Sequence, residues 1–369
     1  MRPSVNETCC RNLECLPHPT FSMAGVIYLV QISSNMTKNM LKIYSCLFGQ
    51  MFKYTYLARI KIKAMFLKNT PIKNRIQQTA MDLIIHPGTV KDAIFQHSIL
   101  CQTFLPYRNP GDDVTTWEQR QGNVSLAVQA MKAFDPISQK LEVVGLPYGT
   151  KSRLILAHIN SQAIRTQNMS LNIENSLTAF IKALGLTTDG RTINETKEQL
   201  RRLTTSIISL GYFSEERNYQ VDLKIVKGFD VNFLKDDNKR VVWSNEILLT
   251  DDYFNSLMNH AIPLDERALA ALSNNAMALD IYAWLAQRLH RVTQGHPQFL
   301  SWQNLKDQFG SGYKDMKKFK EVFRKTLLTV HLQYQTAKIE EDDNKGFWLY
   351  NSPTPIPLKT MIIKPSGLI

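Results

Sequence analysis

Little in this sequence invites an extracellular, membrane or catalytic reading. Of five cysteines in 369 residues, Cys9, Cys10, Cys15 and Cys46 crowd the first 50, and Cys101 alone lies beyond them. An odd count without regular spacing excludes a disulfide framework and favours a reducing, cytoplasmic compartment. Cys10, Cys15 and His18 match no familiar zinc spacing and lack a fourth ligand. The apolar run Phe21–Ile32 is broken by Ser22 and bounded by Gln31, short of the roughly 20 residues a membrane span needs. Glu7 and Glu14 spoil the basic start that a signal peptide requires. His-x-His, His-Glu-x-x-His and Gly-x-Ser-x-Gly are all missing, so no enzyme class is supported and no metal or cofactor is implied.

Net charge is also scarce where it would matter most. The chain's formal charge is +12, but residues 1–80 hold eleven Lys/Arg against two acids, leaving 33 basic and 30 acidic residues in the other 289. Bulk charge therefore says little about the body, and a nucleic-acid reading must rest on local faces. The basic leader, residues 1–80, shows no sustained period. It is read as upstream sequence preceding a true start at Met65 or Met81; its rival is a disordered arm that helps hold DNA.

What is present is a repeated order of elements. From about Asn172 to Trp243, and again from about Ser301 to Tyr350, a short amphipathic helix leads through a turn into a longer basic helix and then an alternating strand pair. The expected class is α+β, with two tandem winged-helix domains over 81–255 and 256–352 and an irregular, proline-bearing tail over 353–369. Ahead of the first unit, Ser98–Tyr107, Asn123–Lys132 and Leu141–Val144 read as strands, and Thr150 to about Gln167 as a helix. In the first unit Glu174–Leu184 and Thr192–Leu210 read as helices. Tyr219–Val226 and Lys239–Leu249 form the wing about the turn Lys235–Lys239. In the second, Ser301 caps Trp302–Phe309, Lys314–Tyr334 is the basic helix, and Ala337–Glu341 pairs with Gly346–Tyr350 about Asp342–Lys345.

The apolar stripe Leu200, Leu203, Ile207 and Leu210 leaves Lys197, Arg201 and Arg202 off it, with Arg191 just before the first turn. The stripe Met316, Phe319, Phe323, Leu327 and Val330 leaves Lys314, Lys317, Lys318, Lys320, Arg324 and Lys325 on its other side. A single basic helix face is most often just solvated. Two of them, each second in a helix pair and each followed by a hairpin, point to duplex DNA, where cations neutralise phosphates and neighbours such as Asn194 and Thr205 reach bases or phosphates. One competing motif is Gly145-Leu-Pro-Tyr-Gly-Thr-Lys-Ser152, set between a strand and a helix like a phosphate-binding loop. Its second glycine is one position early, so Thr150 stands where glycine is required, and Pro147 lacks an amide hydrogen.

That same segment, continued through Arg153 and by Asn160-Ser-Gln-Ala-Ile-Arg165, resembles the plasmid-encoded RepA family of replication initiators. Ser176-Leu-Thr-Ala-Phe-Ile-Lys-Ala-Leu-Gly-Leu186, Gln199-Leu-Arg-Arg-Leu203, Ile262-Pro-Leu-Asp-Glu-Arg267, Ala278-Leu-Asp-Ile-Tyr-Ala-Trp-Leu-Ala286, Arg288-Leu-His290 and Gln308-Phe-Gly-Ser-Gly-Tyr313 continue it, in order, across roughly Ile94 to Pro357. The resemblance implies a protein that binds repeats in double-stranded plasmid origin DNA and helps to open the duplex. It also implies recruitment of the host initiator and replicative helicase, and often repression of the protein's own promoter. A homodimer is compatible with it. A DNA-binding transcriptional regulator is the alternative, and a P-loop ATPase the second.

Overall fold

The computed structural model describes residues 70–357 apart from 136–138, 173–175, 214–217, 222–223, 231–245 and 343–344. The architecture is α+β. Helix α1 (Pro71–Ile85) leads to strand β1 (Ala93–His97), then β2 (Thr116–Gln121), β3 (Val124–Gln129), β4 (Lys132–Asp135) and β5 (Lys140–Val143). Helix α2 (Gly149–Thr166) opens a first unit that continues through β6 (Ser170–Asn172), α3 (Leu177–Ala183), α4 (Gly190–Thr205), β7 (Ile207–Phe213), β8 (Asn218–Val221), β9 (Val226–Asp230) and β10 (Glu246–Leu249). Helix α5 (Asp251–His260), β11 (Ala261–Asp265) and α6 (Glu266–Leu272) lead to a second unit. It comprises α7 (Ala276–Leu289), β12 (Gln298–Ser301), α8 (Trp302–Phe309), α9 (Met316–Gln333), β13 (Ile339–Asp342) and β14 (Gly346–Leu349).

The two units repeat one plan. A helix, a short strand, two helices and an antiparallel strand pair recur in that order, with β7 and β8 set between helices and strand pair in the first unit, and the sheets are ordered β6-β10-β9 and β12-β14-β13. In each, the strand before the helix pair lies against the last strand of the hairpin. The helix pairs start where their sequences supply oxygen caps. Ser176 and Ser301 accept from the amides of Ala179 and Asn304, opening α3 and α8. Asp189 accepts from Thr192 N, and Asp315 from Lys317 N and Lys318 N, opening the two long helices. An aspartate there satisfies orphan amides and complements the positive end of the helix dipole. In the second unit Trp302, Phe309, Phe319, Phe323 and Phe347 are all buried, with Trp302 edge-on to Phe347 at 5.1 Å and to Phe323 at 5.7 Å.

Four expectations are corrected. Ser98–Tyr107 is not a strand: the strand is Ala93–His97, every residue of it buried, and the chain then turns, Cys101 N bonding His97 O at 3.1 Å. The first long helix stops at Thr205 instead of Leu210. Ile207–Phe213 runs as β7 along β3, with Ile208 and Leu210 sharing the buried face. The strand expected over Tyr219–Val226 is split, because β8 pairs with β7 in the sheet β2-β3-β7-β8, and only β9 faces β10. The turn Lys235–Lys239 lies outside the described residues.

The fourth concerns boundaries. The leader expected to end at residue 80 ends inside α1, which packs on α6 and α9. Arg75 Nη2 donates to Ser273 Oγ at 3.3 Å, Gln333 Nε2 to Ile76 O at 2.8 Å, and Gln335 Nε2 to Ala80 O at 3.0 Å. Residues 1–69 and 358–369 lie outside the described residues. The partition expected at 255 is crossed as well, since β1 pairs antiparallel with β11, from Ala93 opposite Asp265 to His97 opposite Ala261.

His97 sits at the end of that ribbon, buried and stacked on Tyr253 at 5.7 Å. Ile99 N donates to its Nδ1 at 3.2 Å, which leaves the ring proton on Nε2, 3.0 Å from Ser256 Oγ. Burial, aided by the charge of His260, lowers its pKa from 6.5 to about 3. Below pH 6.5 the unfolded chain takes up a proton that the folded chain refuses, so this contribution is whole above pH 6.5 and fades as pH falls toward 3. Between pH 7 and pH 5 the loss is about 2 kcal/mol. Urea midpoints at the two pH values check it: the difference should shrink by about that amount in His97→Gln, and an equal difference in both proteins refutes the assignment.

Candidate nucleic-acid interface

The exposed face of α9 is built by spacing alone. Lys314, in the turn before the helix, and Lys317, Lys318, Glu321 and Lys325 recur at three- and four-residue intervals, and all five are exposed. Lys318 Nζ lies 2.9 Å from Glu321 Oε2 and holds that carboxyl below its ordinary pKa. An incoming phosphate must compete with that pairing. Lys320 and Arg324 turn toward the hairpin. Their charged ends lie 5.3 and 4.9 Å from the Trp302 ring centre, and Arg324 bonds Glu341 Oε1 of β13 at 2.5 and 2.9 Å. Arg324 therefore braces helix against hairpin, and four lysines remain as the outward cations of this face.

On α4 the outward stripe is Asn194, Lys197, Arg201 and Thr205, with Arg191 at the first turn. Arg191 is 87% exposed, and its Nε bonds Glu195 Oε1 at 2.8 Å. Lys151 Nζ reaches the other oxygen of Glu195 at 2.6 Å. Both cations depress the Glu195 carboxyl. Lys197 and Arg201 are half-buried, and the Thr205 hydroxyl oxygen is buried at the helix end. Arg202 is a correction. It is 7% exposed, bonds Glu198 Oε1 at 2.6 Å and Leu146 O at 3.1 Å, and lies over the Tyr148 ring at 5.3 Å. Standing off the apolar stripe put it on a polar interior face, against a loop.

That loop is the Gly145–Ser152 motif, which forms the saddle of α4. A Cβ on Gly145 would meet Arg202 Nη1 at 2.5 Å and push that guanidinium from its place, and Gly149 takes φ +75, which favours glycine. Tyr148 N donates to Gln199 Oε1 at 2.8 Å. The Ser152 hydroxyl is buried against Tyr148 O at 2.7 Å, and Lys151 is held by Glu195. The polar atoms that would meet a phosphate in a nucleotide loop are thus directed into the chain.

Behind the saddle, Arg153 crosses from the first unit to the second. Its Nε and Nη2 grip the two oxygens of Asp280 in α7 at 2.7 and 2.8 Å, both side chains being buried. Burial raises the Asp280 pKa against the opposing pull of Arg153. Remaining donors of Arg153 go to Leu105 O at 2.6 Å, Gly149 O at 2.7 Å and Pro106 O at 3.3 Å. Gln119 Nε2 to Gln308 O at 2.7 Å and Gln308 Nε2 to Gln102 O at 3.0 Å add a second crossing. Sequence reasoning did not find the role of Trp302, nor the pairing of Arg153 with Asp280, since no local period signals a partner 127 residues away.

Between the units opens a cleft of about 1050 Å³, bordered by Asn194 and Glu198 of α4, the turn Ser311–Tyr313 and the loop Pro106–Pro110. Among the described residues, no helix is long and apolar enough to cross a membrane, and no cluster of His, Cys, Asp and Glu could hold a metal ion.

The family model of the plasmid-encoded RepA protein matches residues 146–304. This upholds the resemblance read from the motifs over a narrower span, under half of the chain, which ends before α9. No curated protein matches. Among solved structures, domains 2–3 of RctB cover 68% of this chain and 94% of that one, at 9% identity and a TM-score of 0.40. Selenomethionine derivatives of domains 2 and 3 of RctB cover 68% and 96%, at 9% identity and 0.39. Likeness of that degree leaves the reading to the chain's own elements and to the family match.

Proposed function

We propose that the chain is a plasmid replication initiator that binds repeated sequences in duplex origin DNA through two winged-helix heads. Each head inserts its second long helix, α4 or α9, into the major groove and lays its hairpin on the backbone. Duplex opening, recruitment of the host initiator and replicative helicase, and repression of the protein's own promoter complete the reading. One observation carries it: two units share a strand–helix–helix–hairpin plan with the same strand order, and each presents cations on its second helix. The family match over 146–304 supports the initiator part. In this reading 81–255 and 256–352 stay useful as names for the heads, though β1 pairs across their boundary and α1 packs on the second head.

Footprinting on the plasmid that carries the gene tests it. The protected segments should be centred about 10–10.5 base pairs apart, or a multiple of that. Arg201→Ala should weaken one segment and Lys318→Ala the other. Removing a cation from a phosphate lowers the salt slope by about one unit for every sequence, whereas removing a side chain from a base edge costs about 1–3 kcal/mol at one position. Protection confined to a promoter, with replication intact when the gene is deleted, would make the protein a transcriptional regulator instead.

A further inference from the structure

We propose that Arg108 is a third DNA contact, entering the minor groove between the two major-groove segments read by α4 and α9, and that it favours A·T pairs there. The inference rests on the two-headed reading. Helices that occupy successive major grooves on one face of a duplex leave a minor groove between them. On the protein, Asn194 of α4, the turn leading into α9 and the loop Pro106–Pro110 border one cleft. Arg108 is the exposed cation of that loop.

The loop is anchored at its root and turned locally at its tip. Prolines stand at both ends, and Asn109 Oδ1 accepts from Gly111 N at 3.1 Å in a local turn. Its root is bolted to α2, through Gly149 N to Pro106 O at 2.9 Å and the Arg153 fork onto Leu105 O and Pro106 O. The same guanidinium grips Asp280 of the second unit, so the loop keeps its station relative to both heads. Carboxylates that border the cleft are paired within the chain, Glu195 with Lys151 and Arg191, and Glu198 with Arg202. They do not set a bare negative charge against the phosphates. A narrow A·T-rich minor groove concentrates negative potential, which draws in an arginine presented at its mouth.

The test uses the full chain and duplexes that it selects from a random pool. The base pairs between the two protected centres are then made all A·T or all G·C. The wild type should prefer the A·T spacer about ten-fold, and Arg108→Ala should bring that preference within about two-fold. The cost of Lys318→Ala should be the same on both spacers. An unchanged urea midpoint shows Arg108→Ala to be folded. A wild type indifferent to the spacer, or an Arg108→Ala protein that keeps the preference, overturns this proposal while the two heads stand. A chain that selects no duplex at all overturns the two-headed reading and this proposal together.

Discussion

Replacing Arg153 by alanine is expected to lower the free energy of unfolding by about 3–5 kcal/mol, the usual consequence of leaving one member of a buried ion pair alone. The guanidinium satisfies both oxygens of Asp280 and bonds three main-chain carbonyls, so its loss strands a buried carboxylate and takes from Leu105 O, Pro106 O and Gly149 O a charged donor each. Asp280→Leu should cost a similar amount. The double variant, Arg153→Ala with Asp280→Leu, should cost less than the two singles combined, because the uncompensated charge is then gone. Urea unfolding of the three proteins measures this. Strict additivity of the two changes, or a single cost below about 1 kcal/mol, would show the pair to be incidental.

Alanine at Lys314, Lys317, Lys318 and Lys325 together is expected to cut the salt slope of duplex binding by three to four units, about 0.9 for each phosphate no longer neutralised. Alanine at Lys197 and Arg201 should cut it by less than two on the same scale. The imbalance follows from the two faces. On α9 the one exposed acid of the stripe is Glu321, whereas α4 carries Glu195 and Glu198 among its cations. The second head should thus supply most of the ionic attraction, and the first should depend more on shape and on Asn194. A slope that survives the four lysine changes intact would reduce this face to a solvated one. All four residues are exposed, so unfolding midpoints should hardly move.

The plan of the two units was legible because its signals are local. Ser301, Asp189 and Asp315 sit where helices need oxygen caps, and the stripe from Met316 to Val330 keeps one period throughout. Where the reading failed, two periods coincided or none existed. Ile207 and Leu210 extend the helical spacing of Leu200 and Leu203, yet Ile208 and Leu210 are also two apart, and pairing with β3 decided for the strand. Strand β1 has both faces buried, so Ala93–His97 shows no alternation. Arg202 and Arg324 were grouped with outward cations because a helical wheel separates apolar from polar but cannot separate water from a buried polar loop. Arg153 and Asp280 both lie in motifs that carry the family resemblance. Nothing in either motif says that they touch across 127 positions.

Helix α1 bears on how the chain is made. Its main-chain carbonyls at Ile76 and Ala80 wait for amides of Gln333 and Gln335, 257 and 255 positions later. On a ribosome adding about 5–20 residues per second, that interval is roughly 13–50 s. During it α1 has no α9 to cover it, and β1 has no β11 until residue 261 is made. Contacts of such separation slow folding and leave apolar surface open. The nascent protein is therefore expected to bind holding chaperones until α9 emerges, which ribosome-bound chains arrested before and after residue 335 would show. Supply of active initiator should then follow folding capacity in the cell as well as the rate of translation.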